Sequence, residues 1–154
     1  MLKALRRRIS GKKLVIVGVG NSLRGDDGIG PALVARLSGK TRALLIDGGD
    51  VPENYLDVVK IARPEVVLIV DAVDLGAAPG DAALVEIEQL AGARLTTHNA
   101  SLAFFAEALR SSTGADVFFV AIQPGVTSFG APMSAPAQAS LNNLESLFQE
   151  LGGT

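Results

Sequence analysis

Three side chains have types that could do chemistry together: Asp27, Asp71 and His98. Asp27 stands in a glycine-rich run, Gly18-Val19-Gly20-Asn21-Ser22-Leu23-Arg24-Gly25-Asp26-Asp27-Gly28-Ile29-Gly30. Asp71 follows the aliphatic stretch Val66 to Val70, and His98 is the single histidine of the chain. Two carboxylates and an imidazole suit a divalent transition metal and leave coordination positions open. The same set could serve as an acid pair with a proton shuttle. Spacing alone does not choose between these. Each residue also has a plainer explanation. Acids near a helix start favour the dipole by roughly 0.3–1 kcal/mol each. Asp is a frequent turn former after a strand, and a lone His is more often a satisfied surface or core residue than a ligand. Their joint occurrence at strand ends is what favours a site.

Other chemistries are excluded or disfavoured. There is no Cys, so disulfides, thiolate metal sites and a Cys nucleophile are ruled out. That fits a reducing compartment. The glycine run invites a dinucleotide-binding reading, with Asp47 holding a ribose. The spacing fails, because Leu23 stands where the third glycine is required. The charge fails too, since Asp26 and Asp27 repel phosphate where helix N-terminal amides should attract it. The Walker A phosphate loop is absent too, because Gly39-Lys40-Thr41 has Val34 where its first glycine is required.

These residues need elements to position them. Leu14 to Val19 is a continuous aliphatic run, the sign of a strand buried on both faces. Gly28 to Leu37 predicts a helix with Pro31 at its first position. Ala43 to Ile46 predicts a second strand closed by Asp47-Gly48-Gly49. Pro52 to Ile61 predicts a helix with Leu56, Val59 and Ile61 inward. Val66 to Val70 is a third strand, ending at Asp71, and Ala83 to Ile87 a fourth. Ser101 to Leu109 is a helix preceded by His98, and Val117 to Ile122 a fifth strand. Gly125 to Pro136 is a loop, and Ala137 to Leu151 a final helix with Leu141, Leu144, Leu147, Phe148 and Leu151 as its stripe. Such alternation predicts a single three-layer α/β domain, with a mostly parallel twisted sheet of about five strands and helices on both faces. In such sheets ligands bind beyond the carboxyl ends of the strands. Strands one and three are commonly neighbours there, which would let Asp27, Asp71 and His98 converge.

Size and charge agree with one domain. The chain has 154 residues, 48% apolar and 19% charged, enough for a full core. Net charge is −2, yet Lys3, Arg6, Arg7, Arg8, Lys12 and Lys13 supply six of the fourteen cations. The remainder carries eight cations against sixteen acids, a net of −8, which argues against a nucleic-acid surface. Residues 1–13 read as a basic N-terminal extension, a solvated terminal helix, ahead of a domain over 14–154. No apolar run approaches the roughly 20 residues of a membrane span. The run after the basic head is too short for a signal peptide and is followed at once by Asn21, Arg24, Asp26 and Asp27. A cytoplasmic location is expected.

The run Gly20 to Pro31 resembles the signature of the nickel-iron hydrogenase maturation endopeptidases. So do Asp47-Gly48-Gly49, Val51-Pro52-Glu53-Asn54, Ile69-Val70-Asp71-Ala72, Thr96-Thr97-His98-Asn99 and Ile122-Gln123-Pro124, in that order along nearly the whole chain. The Pro-Glu-Asn, Thr-Thr-His-Asn and Gln-Pro pieces are similar in particular to the branch that processes formate-hydrogenlyase-type hydrogenases. The basic head is the departure, since many members lack it.

The resemblance implies an aspartic-type peptidase that removes a C-terminal extension from a hydrogenase large-subunit precursor after nickel insertion. It places the nickel-interacting residues at Asp27, Asp71 and His98. The loop acid is Glu in some members and Asp here, which preserves the ligand chemistry. Asp47 becomes a candidate for substrate recognition, with Asn21 and Asn99 as further substrate-binding candidates. Nickel held by precursor thiolates could use its open positions for these side chains, as a docking signal that places the scissile bond. It could instead polarise the carbonyl or a water. Without nickel, two acids could share a proton and activate water, because like charges in contact raise one pKa. Nickel as recognition element is the favoured reading, with Asp71 acting on water. A chain without Cys has no soft ligands for free nickel, so metal is expected to arrive with the substrate. A monomer is favoured. The rivals are a nucleotide- or metal-binding module without peptidase activity, and another metallohydrolase on a similar sheet.

Overall fold

The computed structural model describes residues 1–92 and 96–152. The aliphatic runs form β1 (Leu14–Val19), β2 (Leu44–Gly49), β3 (Val66–Ala72), β4 (Ala82–Glu86) and β5 (Asp116–Ile122) of one sheet, in the order β2-β1-β3-β5-β4. β1, β2, β3 and β5 run parallel, and the edge strand β4 is antiparallel to β5. All seven residues of β3 are buried, as a central parallel strand covered on both faces requires. The last residues of the expected domain, 153 and 154, lie outside the described residues.

The period-two alternation of each strand sorts its side chains into two cores. Ile16, Leu68, Val70, Phe118, Val120 and Ile122 face one helical layer. That layer consists of α1 (Leu2–Ile9), α2 (Ile29–Leu37) and α6 (Ala135–Gly152). Val15, Val17, Val67, Ile69, Phe119 and Ala121 face the other, made of α3 (Leu56–Ala62), α4 (Ile87–Gly92) and α5 (Thr97–Thr113). The three-layer α/β expectation therefore holds.

Several local expectations are corrected. The basic head is a helix, but its apolar side is not solvated: Leu5 and Ile9 are buried in the first core. Arg8 pairs with Glu86 and Asp116 and stacks over the Phe118 ring. Asp47-Gly48-Gly49 belongs to β2 instead of closing it, across a shift in register between Gly18 and Val19. A 3-10 turn over Gly25–Gly28 precedes α2, so Pro31 is not its first residue. Another over Pro52–Tyr55 precedes α3, and Ile61 is 81% exposed because it lies about 200° round the helix from buried Val59. Ile87 starts α4 instead of ending β4. α5 begins earlier than expected, at Thr97, so His98 lies in its first turn.

Candidate functional site

β1 and β3 are neighbours at the centre of the sheet, and connections diverge from them toward opposite edges. The crevice beyond their carboxyl ends is where open α/β sheets bind ligands. Asp71 is the penultimate residue of β3 and shares the parity of Val67 and Ile69, so it points toward the α5 layer. There it meets His98. Nε2 of His98 lies 2.8 Å from Oδ2 of Asp71. Thr96 fixes the start of α5 by accepting the backbone N–H of Asn99 at 3.0 Å, which holds His98 at the first turn.

The pair is asymmetric. Asp71 is 1% exposed, whereas the His98 side chain keeps half its surface in solvent. Burial lifts the Asp71 carboxyl to about 6; the His98 hydrogen bond and charge oppose this, and the negative charge of Asp27 adds to it. His98 is raised first by its hydrogen bond to Asp71, against desolvation, with further help from the charges of Asp71, Asp27 and Asp50. Both groups of the pair are thus raised, and the short contact links their titrations. Among the described residues, Oδ1 of Asp71 is buried with no hydrogen-bond partner. An orphaned carboxylate oxygen at the carboxyl end of a central strand is an acceptor awaiting a donor or a cation.

Asp27 approaches from the loop after β1. Its Oδ2 accepts the backbone N–H of Asn21 at 2.9 Å. Gly20, at φ +138°, makes this approach possible: a Cβ there would stand 1.8 Å from the Asp27 carbonyl oxygen and 3.6 Å from Oδ1 of Asp71. The Asn21 side chain accepts the Leu23 N–H at 2.9 Å, an Asx turn that shapes the loop. The structure thus brings Asp27, Asp71 and His98 to one edge. Among the described residues, however, no three His, Asp or Glu side chains stand close enough together to hold a metal ion. Asp47 is exposed near the end of β2, its carboxylate accepting the Gly49 N–H at 3.1 Å. Asn99 is buried behind His98.

The sequence names Asp26 and Gln123 within its motifs but gives neither a supporting role, and both have one. Asp26 was attributed to the helix dipole, yet it is 1% exposed and accepts four hydrogen bonds. They come from the backbone N–H groups of Gly125 (2.7 Å), Val126 (3.1 Å) and Ser134 (2.7 Å) and the Ser134 hydroxyl (2.7 Å). Desolvation alone would raise its pKa, but these donors, Ser134 first, hold it below the usual value. Gln123 accepts from the Leu75 and Ala77 N–H groups at 2.6 and 3.3 Å and so fastens the segment after β3. The available signal was the doubled Asp: a loop directing one acid to a site has a use for the other as an anchor.

The family model described as hydrogenase maturation protease (HycI) matches residues 29–150. The Hydrogenase 3 maturation protease of Escherichia coli K12 is 36% identical over 142 residues, 90% of this chain and 88% of that one. A putative hydrogenase maturation protease of Methanocaldococcus jannaschii is 29% identical over 154 residues, 91% of this chain and 90% of that one. Among solved structures, the [NiFe] hydrogenase maturation protease HycI of Thermococcus kodakarensis superposes with a TM-score of 0.91 at 28% identity, covering 98% of this chain and 99% of that one.

Proposed function

The chain belongs to the hydrogenase maturation protease family, and from that premise we propose that it is an endopeptidase acting on a nickel-iron hydrogenase large-subunit precursor. It removes the C-terminal extension after nickel has been inserted, and the nickel of the precursor is part of what it recognises. The observation that carries this reading is the buried Asp71, with one oxygen on His98 and the other without a partner.

The donor set suits the proposal. Carboxylate oxygen and imidazole nitrogen are ordinary ligands for a divalent ion such as nickel. Oδ1 of Asp71 has a free lone pair, His98 is half exposed, and Asp27 is near enough to act on both electrostatically. The described residues do not form a closed three-ligand cage, and the chain has no thiolate. These features support a metal that comes with the substrate and is met by the enzyme, in preference to one held in the free enzyme.

The chain's own groups then carry the hydrolysis. Asp71, in its ionised form, takes a proton from a water placed against the scissile carbonyl. Asp71 passes that proton on to the departing amine, while His98 steadies the carboxylate through Nε2 and keeps its solvent-facing nitrogen for nickel. One water is consumed, the C–N bond breaks, and the new carboxyl and amine leave. The chemistry is then aspartic-type, with Asp71 as the acting carboxylate and Asp27 as the second acid. Asp47 near the end of β2 and Asn21 in the glycine loop are the proposed further contacts to the precursor chain.

The test is to incubate the protein with an extended large-subunit precursor prepared with and without nickel and to follow intact mass. Loss of the extension only from the nickel-loaded precursor is expected. Equal cleavage of both would remove nickel as the recognition element, and cleavage of neither would overturn the reading. No helix among the described residues is long and apolar enough to cross a membrane, so the assay needs no lipid.

A further inference from the structure

The loop over residues 125–134 is tied down heavily for a surface segment. Four hydrogen bonds from it converge on the buried Asp26 carboxylate. Three backbone bonds join it to the glycine loop: Gly25 N–H to the Ala131 carbonyl (3.1 Å), Asp26 N–H to that of Val126 (2.7 Å) and Gly130 N–H to that of Leu23 (2.7 Å). Gly25, at φ +53°, is needed at this seam, because a Cβ there would lie 2.4 Å from the Val126 carbonyl oxygen. Fixing a loop costs conformational entropy, and burying a carboxylate costs desolvation. Yet the loop's large apolar side chain is not spent on the core. Phe129 is 69% exposed, and Leu23 at 61% and Val126 at 42% stand exposed on the same two segments that these backbone bonds join. The Arg24 guanidinium lies 5.9 Å from the Phe129 ring centroid. A rigidly held aromatic in solvent is preorganised for a partner.

Resting on the peptidase reading above, we infer that Phe129, Leu23 and Val126 form a fixed apolar clamp for an apolar side chain of the precursor segment next to the scissile bond. Asp26 is the positioning residue that holds the clamp. The occupant is the precursor because the clamp is continuous with the site: Leu23 and Arg24 belong to the turn between Asn21 and Asp27 whose ends are bonded together. A chain laid across Asp27 therefore has the Leu23–Phe129 surface beside it. The adjacent acids of the pair divide the work, Asp27 toward the reacting groups and Asp26 toward the clamp.

The experiment compares wild type with Phe129→Ala, Phe129→Leu and Ile61→Ala, the last removing an exposed apolar side chain from α3. Steady-state cleavage of the nickel-loaded extended precursor and direct binding of the same precursor are measured in parallel, with thermal unfolding as a check on the fold. Phe129→Ala is expected to raise KM and Kd about ten-fold, as loss of an interface aromatic does, with kcat and Tm held. Phe129→Leu recovers most of the affinity, and Ile61→Ala matches wild type. Unchanged KM in Phe129→Ala, or an equal rise in Ile61→Ala, would overturn the clamp. If wild type binds the precursor through Phe129 without cleaving it, the clamp stands and the peptidase reading fails. If it neither binds nor cleaves, both fail.

Discussion

At the scale of single residues, the two adjacent acids of the glycine loop have separate duties, and two variants separate them. Asp27→Asn removes the charge that faces Asp71 and His98 while keeping the side chain's size. Cleavage is expected to fall strongly with little change in stability, measured by precursor turnover and urea unfolding on the same preparation. Asp26→Asn should do the reverse in stability: an amide offers one acceptor oxygen and turns a donor toward the Gly125, Val126 and Ser134 donors. The expected loss is on the order of 2–3 kcal/mol, since bonds to a charged acceptor are replaced by a mismatch. The sign with pH follows from the depressed pKa of Asp26. Its contribution is complete above the unfolded-state value of about 3.9 and fades as pH falls through the lower folded-state value. The stability gap between wild type and Asp26→Asn should therefore be full at neutral pH and narrow below about pH 4. A gap independent of pH would show that the charge of Asp26 is not what stabilises the loop.

At the scale of elements, the aliphatic strands and their order along the chain were legible, because a strand buried on both faces reads as an unbroken apolar run. What was not legible was phase and capping. The 3-10 turn before α2 moves the helix start away from Pro31, and in α3 the roughly 200° between Val59 and Ile61 lets only Val59 face the core. The apolar spacing from Leu102 to Leu109 puts His98 ahead of its helix, yet the Thr96 cap starts α5 at Thr97. α1 was misjudged for a different reason. Its charge count dominates the reading, while only Leu5 and Ile9 on one side reach the core, and Arg8 finds Glu86 and Asp116, residues far away in sequence. This changes the expectation for the basic head. Deleting Met1 to Arg8, or replacing Leu5 with Ala, should cost stability, about 3 kcal/mol for Leu5→Ala at a fully buried leucine. The kcat of the fraction that stays folded is expected to match wild type, since α1 packs on the layer opposite α5 and His98. Chemical unfolding and initial cleavage rates at low temperature check both halves.

At the scale of the whole molecule, the sheet order β2-β1-β3-β5-β4 is what turns separate motifs into a site. It sets the end of β3 beside the loop after β1, and the α5 layer beneath the Asp71 side of the sheet. The convergence of Asp27, Asp71 and His98 was readable as an expectation from the β/α alternation. The unpartnered oxygen of Asp71 and the anchoring of the 125–134 loop were not, because both depend on long-range contacts that no local pattern records. The most direct measurement compares wild type with Asp71→Asn, a near-isosteric change that removes the acting carboxylate. Each is mixed with the nickel-loaded extended precursor, and intact mass is followed while circular dichroism verifies the fold. Wild type should release the C-terminal extension, and folded Asp71→Asn should leave the precursor uncut. Cleavage by folded Asp71→Asn at the wild-type rate would contradict the assignment of Asp71 as the group that performs the chemistry.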